Sequence, residues 1–441
     1  MPASTQAPNA WRVLALLFAA NLLNFFDRTL PAVVLEPIRR EWNLSDFQLG
    51  LISTVFVLVY AVAGLPLGRW ADRGSRRLLL ALGLAVWSLF TGASGLATSF
   101  AAFLWLRIAV GIGEASYAPA ANSLIGDLFP PERRARAIGV FMLGLPVGLL
   151  LVYFTVGPIV AAFGSWRAPF YIATVPGLLL ALCFLFVREP ARGAGDAMHD
   201  SVAAPVAQPF RHLLRNRTLW WLIGSGLTMN FAAYATNSFL VPLFQRHFGL
   251  PLGQAAVWAG VIVGLTGLIG LTGGGWLADR MHRRSERGRL RYGATCLALA
   301  ATGSALALTL GQEEVGVFAL CFGLGWLPYY SYYTCVYPAL QDVVQPRLRG
   351  TAMALYFAAM YLLGGAAGPT VVGALSDWLS QRAMRADGVA VLTEAHRAAG
   401  LYDAMTLVPV ALAITALFIW LASRSFPADA RAMRASQAAP A

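Results

Sequence analysis

Apolar runs long enough to cross a lipid bilayer recur along almost the whole chain, each bounded by charged residues or by Gly/Pro clusters. They lie near 12–34, 46–68, 78–98, 100–126, 137–163, 168–187, 217–244, 254–278, 292–312, 314–342, 350–376 and 401–423. A helical crossing takes about 20 apolar residues, and backbone polar groups in lipid must be satisfied within the segment. The pattern therefore predicts an all-α membrane protein of twelve transmembrane helices. Composition agrees, with 58% hydrophobic and 12% charged residues among 441 and a mean hydropathy of +0.62. Soluble domains carry roughly 25% charged residues, and little chain is left over to build one.

The formal net charge is +12, and every one of the 33 basic residues is arginine. Such a balance suits either nucleic acid or a membrane, so placement decides. With the N-terminus inside, cytoplasmic segments hold 24 arginines and outer segments seven, while Arg28 and Arg107 lie within helices. That asymmetry puts both termini in the cytoplasm of an inner-membrane protein and leaves no need for a nucleic-acid partner. The opening MPASTQAPNA has no basic n-region and runs into a full span, so no cleaved signal peptide is expected. Cys183, Cys296, Cys321 and Cys335 all sit in apolar segments. Their spacing matches neither a zinc site nor a disulfide framework, and no metal or cofactor is expected.

The chain also repeats itself. Gly68-Arg-Trp-Ala-Asp72-Arg73 returns as Gly275-Trp-Leu-Ala-Asp279-Arg280, each closing an apolar run and opening an arginine cluster. Asp127-Leu-Phe-Pro-Pro131-Glu-Arg133 likewise pairs with Asp342-Val-Val-Gln-Pro346-Arg-Leu-Arg349. Two six-helix halves follow, 1–187 and 217–423, with a polar, Pro/Gly-containing cytoplasmic linker at 188–216 and a tail at 424–441. Parallel six-helix repeats around a midplane cavity are an architecture of alternating-access transport.

Gly68-x-x-x-Asp72-Arg73-x-x-Arg76-Arg77 is similar to the loop motif of the major facilitator superfamily. Arg107-Ile-Ala-Val-Gly111-Ile-Gly113-Glu114-Ala115-Ser116-Tyr117 in the fourth run, Asp127-Leu-Phe after it and Asn24-Phe-Phe-Asp27-Arg28 in the first together resemble the Spinster family. The resemblance implies the major facilitator fold and a proton-linked carrier of lysophospholipids, sphingoid lipids or related amphiphiles. It also implies that the Asp-Arg loops latch the cytoplasmic side, through Asp72, Arg73, Arg76 and Asp127 in one half and Asp279, Arg280 and Asp342 in the other. The remaining arginines at 283, 284, 287, 289 and 291 read as topology signals.

A charge at mid-bilayer costs at least about 2.5–3.5 kcal/mol, so Asp27, Arg28, Arg107 and Glu114 must face protein or a wet cavity. Seven residues separate Arg107 from Glu114, which returns the side chain to nearly the same helix face about 10.5 Å along the axis. An Asp27–Arg107 contact is expected, with Arg28 competing for either acid. Glu114 and Asp27 are the candidates to carry protons while the two arginines compensate their charge; a static ion pair that fixes helix packing is the alternative. For substrate, Trp326, Tyr330, Tyr333 and Tyr337 recur at intervals of four, three and four on one helical face. Asn230, Tyr234 and Asn237 repeat similarly in the seventh run, and Tyr117 closes the Glu-Ala-Ser-Tyr run of the fourth. Hydroxylated rings suit a ligand with a long apolar body and a polar head.

The rival classes are weaker. With no lysine there is no Walker-type loop for ATP, and His199, His212, His247, His282 and His396 have no nucleophile at a telling spacing, so no enzyme is expected. Within transporters the alternative is a proton symporter for small organic anions such as sugar acids or aromatic acids, with Arg28 and Arg107 binding the substrate carboxylate. The expected partners are thus an amphiphilic substrate, protons and the bilayer, with the chain acting as a monomer.

Overall fold

The computed structural model describes residues 9–191, 216–345 and 348–438. Among them the regular structure is helical throughout, and nine helices are long and apolar enough to cross a membrane. Helix also fills Arg217–Arg246, Gly288–Ala307 and the Val315–Asp342 region. The linker expected at 188–216 falls, from 192 to 215, outside the described residues. The last helix, Leu407–Ala438, continues without a break past the point where the tail was expected to start.

The chain divides into two compact units, one of residues 1–43 and 55–203 and the other of 44–54 and 204–441. In the first, α1 (Ala10–Val33) leads through the short α2 (Leu35–Trp42) to α3 (Asp46–Arg73), and α4 is Arg76–Ser94. Asn43 ends α2 with φ of 50°, a left-handed conformation that asparagine tolerates better than most residues. The fourth expected span divides into α5 (Phe100–Ala115) and α6 (Tyr117–Leu128), and the fifth into α7 (Pro131–Met142) and α8 (Gly144–Phe163). The first unit closes with α9 (Ala168–Leu185). Pro119 explains the first break, since it cannot donate to the carbonyl four residues back at Ala115.

The second unit repeats these irregularities. Here α10 is Arg217–Arg246, α11 Leu252–Gly260 and α12 Thr266–Arg284, with a π turn at Val261–Leu265 between the last two. After α13 (Gly288–Ala307), the helical pattern of α14 (Val315–Tyr329) breaks at Tyr330, just past Pro328, before α15 (Ser331–Asp342). Next, α16 (Arg349–Ala358) joins α17 (Ala366–Ala386) through a second π turn, Ala359–Gly365; α18 (Glu394–Ala404) and α19 (Leu407–Ala438) complete the chain. The first turns of α3, assigned to this unit, are seated on α10 and α17: Ser53 Oγ lies 2.8 Å from Ser238 Oγ, and Thr54 Oγ1 donates to Ala366 O at 2.6 Å.

Small residues bring backbones together where no side chain would fit. A Cβ on Gly148 of α8 would lie 2.4 Å from Leu22 O of α1, and one on Gly364 would lie 2.2 Å from Leu227 O of α10. Each unit thus packs its first long helix against the glycines of its fifth, as small-residue helix contacts in membranes do. Gly364→Ala must push two backbones apart and should lower stability by about 1–3 kcal/mol. Gly126→Ala, whose Cβ meets nothing within 4 Å, should be neutral or mildly stabilising. Thermal unfolding in detergent checks both, and an equal effect of the two would refute the packing account.

Candidate transport site and gate

The first unit gathers the membrane-embedded charges into one cluster. Asp27 and Glu114 are fully buried, Arg107 nearly so, and Arg28 is 12% exposed. Arg28 donates from Nε and Nη2 to Glu114 Oε2, both at 3.2 Å, and Asn24 Nδ2 reaches the same oxygen at 3.0 Å. Asn24 Oδ1 in turn accepts from Arg28 Nη2 at 3.3 Å, so one amide holds both partners of the pair. The asparagine and the arginine sit one helical turn apart on α1, which aligns them on one face.

Asp27 behaves differently from expectation. Neither of its oxygens accepts a hydrogen bond among the described residues, and Arg107, though within electrostatic range, makes no ion pair with it. The expected Asp27–Arg107 contact is therefore replaced by the competing pair, Arg28 with Glu114. Arg107 instead places its guanidinium 5.0 Å from the Phe56 ring centroid, and Arg28 lies 5.3 Å from the same ring and 4.4 Å from that of Tyr60. Aromatic faces contribute about 0.5–2 kcal/mol to such cations when water is excluded. Phe56 and Tyr60 escaped the sequence reading because they lie on α3, whose apolar run carries no charge to mark it. Trp87, near Asp27 but outside hydrogen-bond geometry, escaped for the same reason.

In the second unit, half-buried rings form a connected array. Tyr333 packs edge-on to Tyr337 at 5.6 Å, Tyr337 to Phe357 at 5.6 Å and Tyr361 to Tyr234 at 6.4 Å, while Phe357 lies tilted against Tyr361 at 6.2 Å. Asn237, one turn from Tyr234 and also half-buried, has an Oδ1 with no hydrogen-bond donor among the described residues. No sequence signal marks Phe357 and Tyr361, which lie within the glycine-containing apolar run at 350–376.

Four residues expected at the substrate site have other tasks. The Asn230 amide donates to Met360 O at 2.9 Å, and the Tyr330 hydroxyl to Val263 O at 2.6 Å. Both acceptors lie inside π turns, where the regular helical ladder is interrupted. These side chains fasten the π turns. Trp326 is stacked between Phe322 and Tyr329 with 2% exposure. Tyr117 is buried against Trp87 and Phe141, with its hydroxyl bonded to Leu17 O.

At the arginine-rich helix ends, the ion pairs differ from the expected latch. Arg76, buried at the start of α4, bonds Asp127, Ser123 Oγ at 3.0 Å and Glu189 Oε1 at 2.8 Å. In the second unit Arg289 Nη1 meets Asp342 Oδ2 at 3.2 Å, and its Nη2 lies 3.7 Å from Asp279 Oδ1. Arg289, expected to be a topology signal, is the repeat equivalent of Arg76, and the sequence offset of 213 between them could have shown it. Asp72, Arg73 and Arg280 are exposed and join no ion pair among the described residues; Arg280 rests on the Trp276 ring instead.

The sequence profile of the Major Facilitator Superfamily matches residues 17–369. The chain belongs to the major facilitator superfamily. It is 30% identical over 426 residues to an MFS-type efflux pump of Mycolicibacterium smegmatis, covering 95% of this chain and 94% of the relative. It is 31% identical over 393 residues to human protein spinster homolog 1, covering 83% and 73%. A bacterial homologue of the human lysosomal transporter Spinster, crystallised inward-facing and unoccupied, superposes with a TM-score of 0.86 at 29% identity over 96% of this chain and 98% of that one. The superfamily member described here is thus a multi-pass membrane transporter of Spinster type.

Two predictions follow from the fastened π turns and the Arg76 hub. Tyr330→Phe and Asn230→Ala each remove a buried hydrogen bond to a π-turn carbonyl and should cost about 0.5–1.5 kcal/mol, read as a lower unfolding temperature. Glu189 is partly buried, which opposes ionisation, but its bonds from Arg76 and Ser75 outweigh that and hold its pKa below the ordinary 4.5. A depressed carboxyl contributes stability that is complete above its unfolded pKa and fades as pH falls through the folded one. Glu189→Gln should therefore unfold at a lower temperature than the parent at pH 7, and the gap should close as pH drops below 4.5; a pH-independent gap would refute the contact.

Proposed function

We propose that this transporter moves a lysophospholipid, sphingoid lipid or similar amphiphile by alternating access, coupled to protons through Asp27 and Glu114. The observation that carries the reading is the buried pair of acids with unequal surroundings, Glu114 bound by Arg28 and Asn24, and Asp27 without a donor. Protonating Asp27 removes a buried charge that nothing hydrogen-bonds; releasing the proton restores its attraction to Arg107. Protonating Glu114 frees Arg28 from its partner. Each proton thus rearranges the same small set of charges, as a coupling site requires. Twelve crossings, cytoplasmic termini and a monomeric transport unit complete the proposed topology.

Tyr333, Tyr337, Phe357, Tyr361 and Tyr234 would line the path of the apolar body, and the free Asn237 carbonyl and tyrosine hydroxyls would hold the polar head. This substrate class is the one that the resemblance to the Spinster family implies, and that resemblance runs along most of the chain. Small organic anions fit less well, because of the two arginines that would bind them Arg28 is engaged by Glu114 and Arg107 is 1% exposed, with its guanidinium against Phe56. The cytoplasmic latch would rest on Arg76 with Asp127 and on Arg289 with Asp279 and Asp342, while Asp72, Arg73 and Arg280, also expected in it, join no ion pair among the described residues.

Flux in proteoliposomes under an imposed proton gradient tests the reading, comparing a labelled lysophospholipid and a sphingoid lipid with a panel of organic acids. Lipid flux should follow the gradient, and Glu114→Gln should lose that dependence. Tyr333→Ala should weaken lipid transport at least about tenfold, since stacking contacts of this kind are each about 0.5–1.5 kcal/mol beyond their area. Gradient-driven uptake of an acid without lipid flux would overturn the assignment.

A further inference from the structure

Three neighbouring helices of the second unit expose apolar stripes that end in arginines at the same end of the unit. On α19 the exposed face runs Val410, Ile414, Leu417, Trp420 and then Arg424; from Leu265, at the end of the π turn, it runs along α12 through Ile269, Thr272 and Trp276 to Arg280. These spacings of three and four keep one helical face. On α13 the order is reversed along the chain, from Arg291 through Thr295 to Leu299 and Leu306. The helices are adjacent, α12 packing on α13 and α13 on α19, and Arg434 Nη2 reaches Glu286 Oε1 at 3.4 Å across the shared end.

Two of these arginines are held in place by tryptophan. The Arg424 guanidinium lies 3.7 Å from the Trp420 ring centroid and that of Arg280 lies 5.6 Å from Trp276, while both rings remain exposed at 41% and 62%. An exposed tryptophan one turn below an arginine is the arrangement of a membrane interface; beneath Trp420 the face is apolar, and beneath Trp276 the one polar side chain, Thr272, donates its hydroxyl to the Leu268 and Ile269 carbonyls of its own helix. None of Arg280, Arg291 and Arg424 joins an ion pair among the described residues, so their charge faces outward without a protein counterion.

We propose that this rim binds the phosphodiester headgroups of anionic phospholipids in the surrounding leaflet, with the lipid chains lying along the stripes of α12, α13 and α19. Arginine matches phosphate through paired N–H donors, and basic clusters at the cytoplasmic ends of membrane helices attract anionic lipid. Charge complementarity selects the headgroup, and the apolar stripes select a lipid over a free anion. The site is separate from the aromatic array and from the buried acids, so its failure would leave the transport reading untouched.

The test uses the full chain in phosphatidylcholine vesicles containing an equal fraction of either brominated phosphatidylglycerol or brominated phosphatidylcholine, with tryptophan quenching as the signal. The parent should be quenched more by the anionic lipid, and high salt should reduce the excess. Arg424→Gln, at an exposed position with no ion-pair partner, should lose part of the excess, and Arg280→Gln/Arg291→Gln/Arg424→Gln most of it. Trp420→Phe should remove part of the quenchable signal. Equal quenching by the two lipids, or an excess unchanged in Arg424→Gln and salt-insensitive in the parent, would overturn the proposal. Displacement by inorganic phosphate at low concentration would overturn the lipid assignment in favour of a free-anion site.

Discussion

Charge buried in a membrane helix must be answered by another charge or by directed hydrogen bonds, and the first unit is arranged around that requirement. Arg28 and Glu114 meet at 3.2 Å with Asn24 bonded to both, and two aromatic rings on α3 lie against the guanidiniums, Phe56 beside Arg28 and Arg107 and Tyr60 beside Arg28. An ion pair in low dielectric is weak evidence for stability, because desolvation can match the attraction. On the proposed reading, its presence beside a second acid without a donor serves proton movement rather than packing alone. On the same reading, the helices are built to keep this cluster dry while leaving its protonation free to change.

The second unit solves a different problem with related parts. Its backbones approach closely at Gly364 and Gly368, and carbonyls in its π turns at 261–265 and 359–365 accept from Tyr330 and Asn230 on neighbouring segments. In each turn, where the helical ladder is irregular, a donor from a neighbouring segment adds a bond from outside the helix. The half-buried rings of Tyr333, Tyr337, Phe357, Tyr361 and Tyr234 then line a surface whose backbone is fixed by residues just behind it. At the arginine-rich helix ends, Arg76 with Asp127 and Arg289 with Asp342 show the internal repeat at the level of single ion pairs.

The hydrophobic periodicity made the helical membrane fold legible, because a crossing demands a long apolar run whatever its neighbours are. Buried charges were legible too, since Asp27, Arg28, Arg107 and Glu114 stand out against apolar surroundings. Partner choice was not: spacing put Arg107 and Glu114 on one face, but which arginine reaches which acid depends on the relative rotation of α1 and α5. Aromatic and amide side chains were the hardest to assign. Tyr330 and Tyr333 share a helical face, yet one faces a π-turn carbonyl and the other stays half-exposed, and no single-sequence pattern marks a π turn. Arg289 was missed because its equivalence to Arg76 lies at an offset of 213, distinct from the 207 that relates the Asp-Arg motifs.

The central claim is that Asp27 and Glu114 change protonation during transport. Infrared difference spectroscopy of the reconstituted protein, between substrate-free and substrate-bound states and across pH, reads the carbonyl band of protonated carboxyl groups directly. The account predicts a band that shifts or changes intensity with both variables and loses separate components in Asp27→Asn and Glu114→Gln. A spectrum unchanged by substrate and pH, or one whose carboxyl bands survive both substitutions, would contradict it.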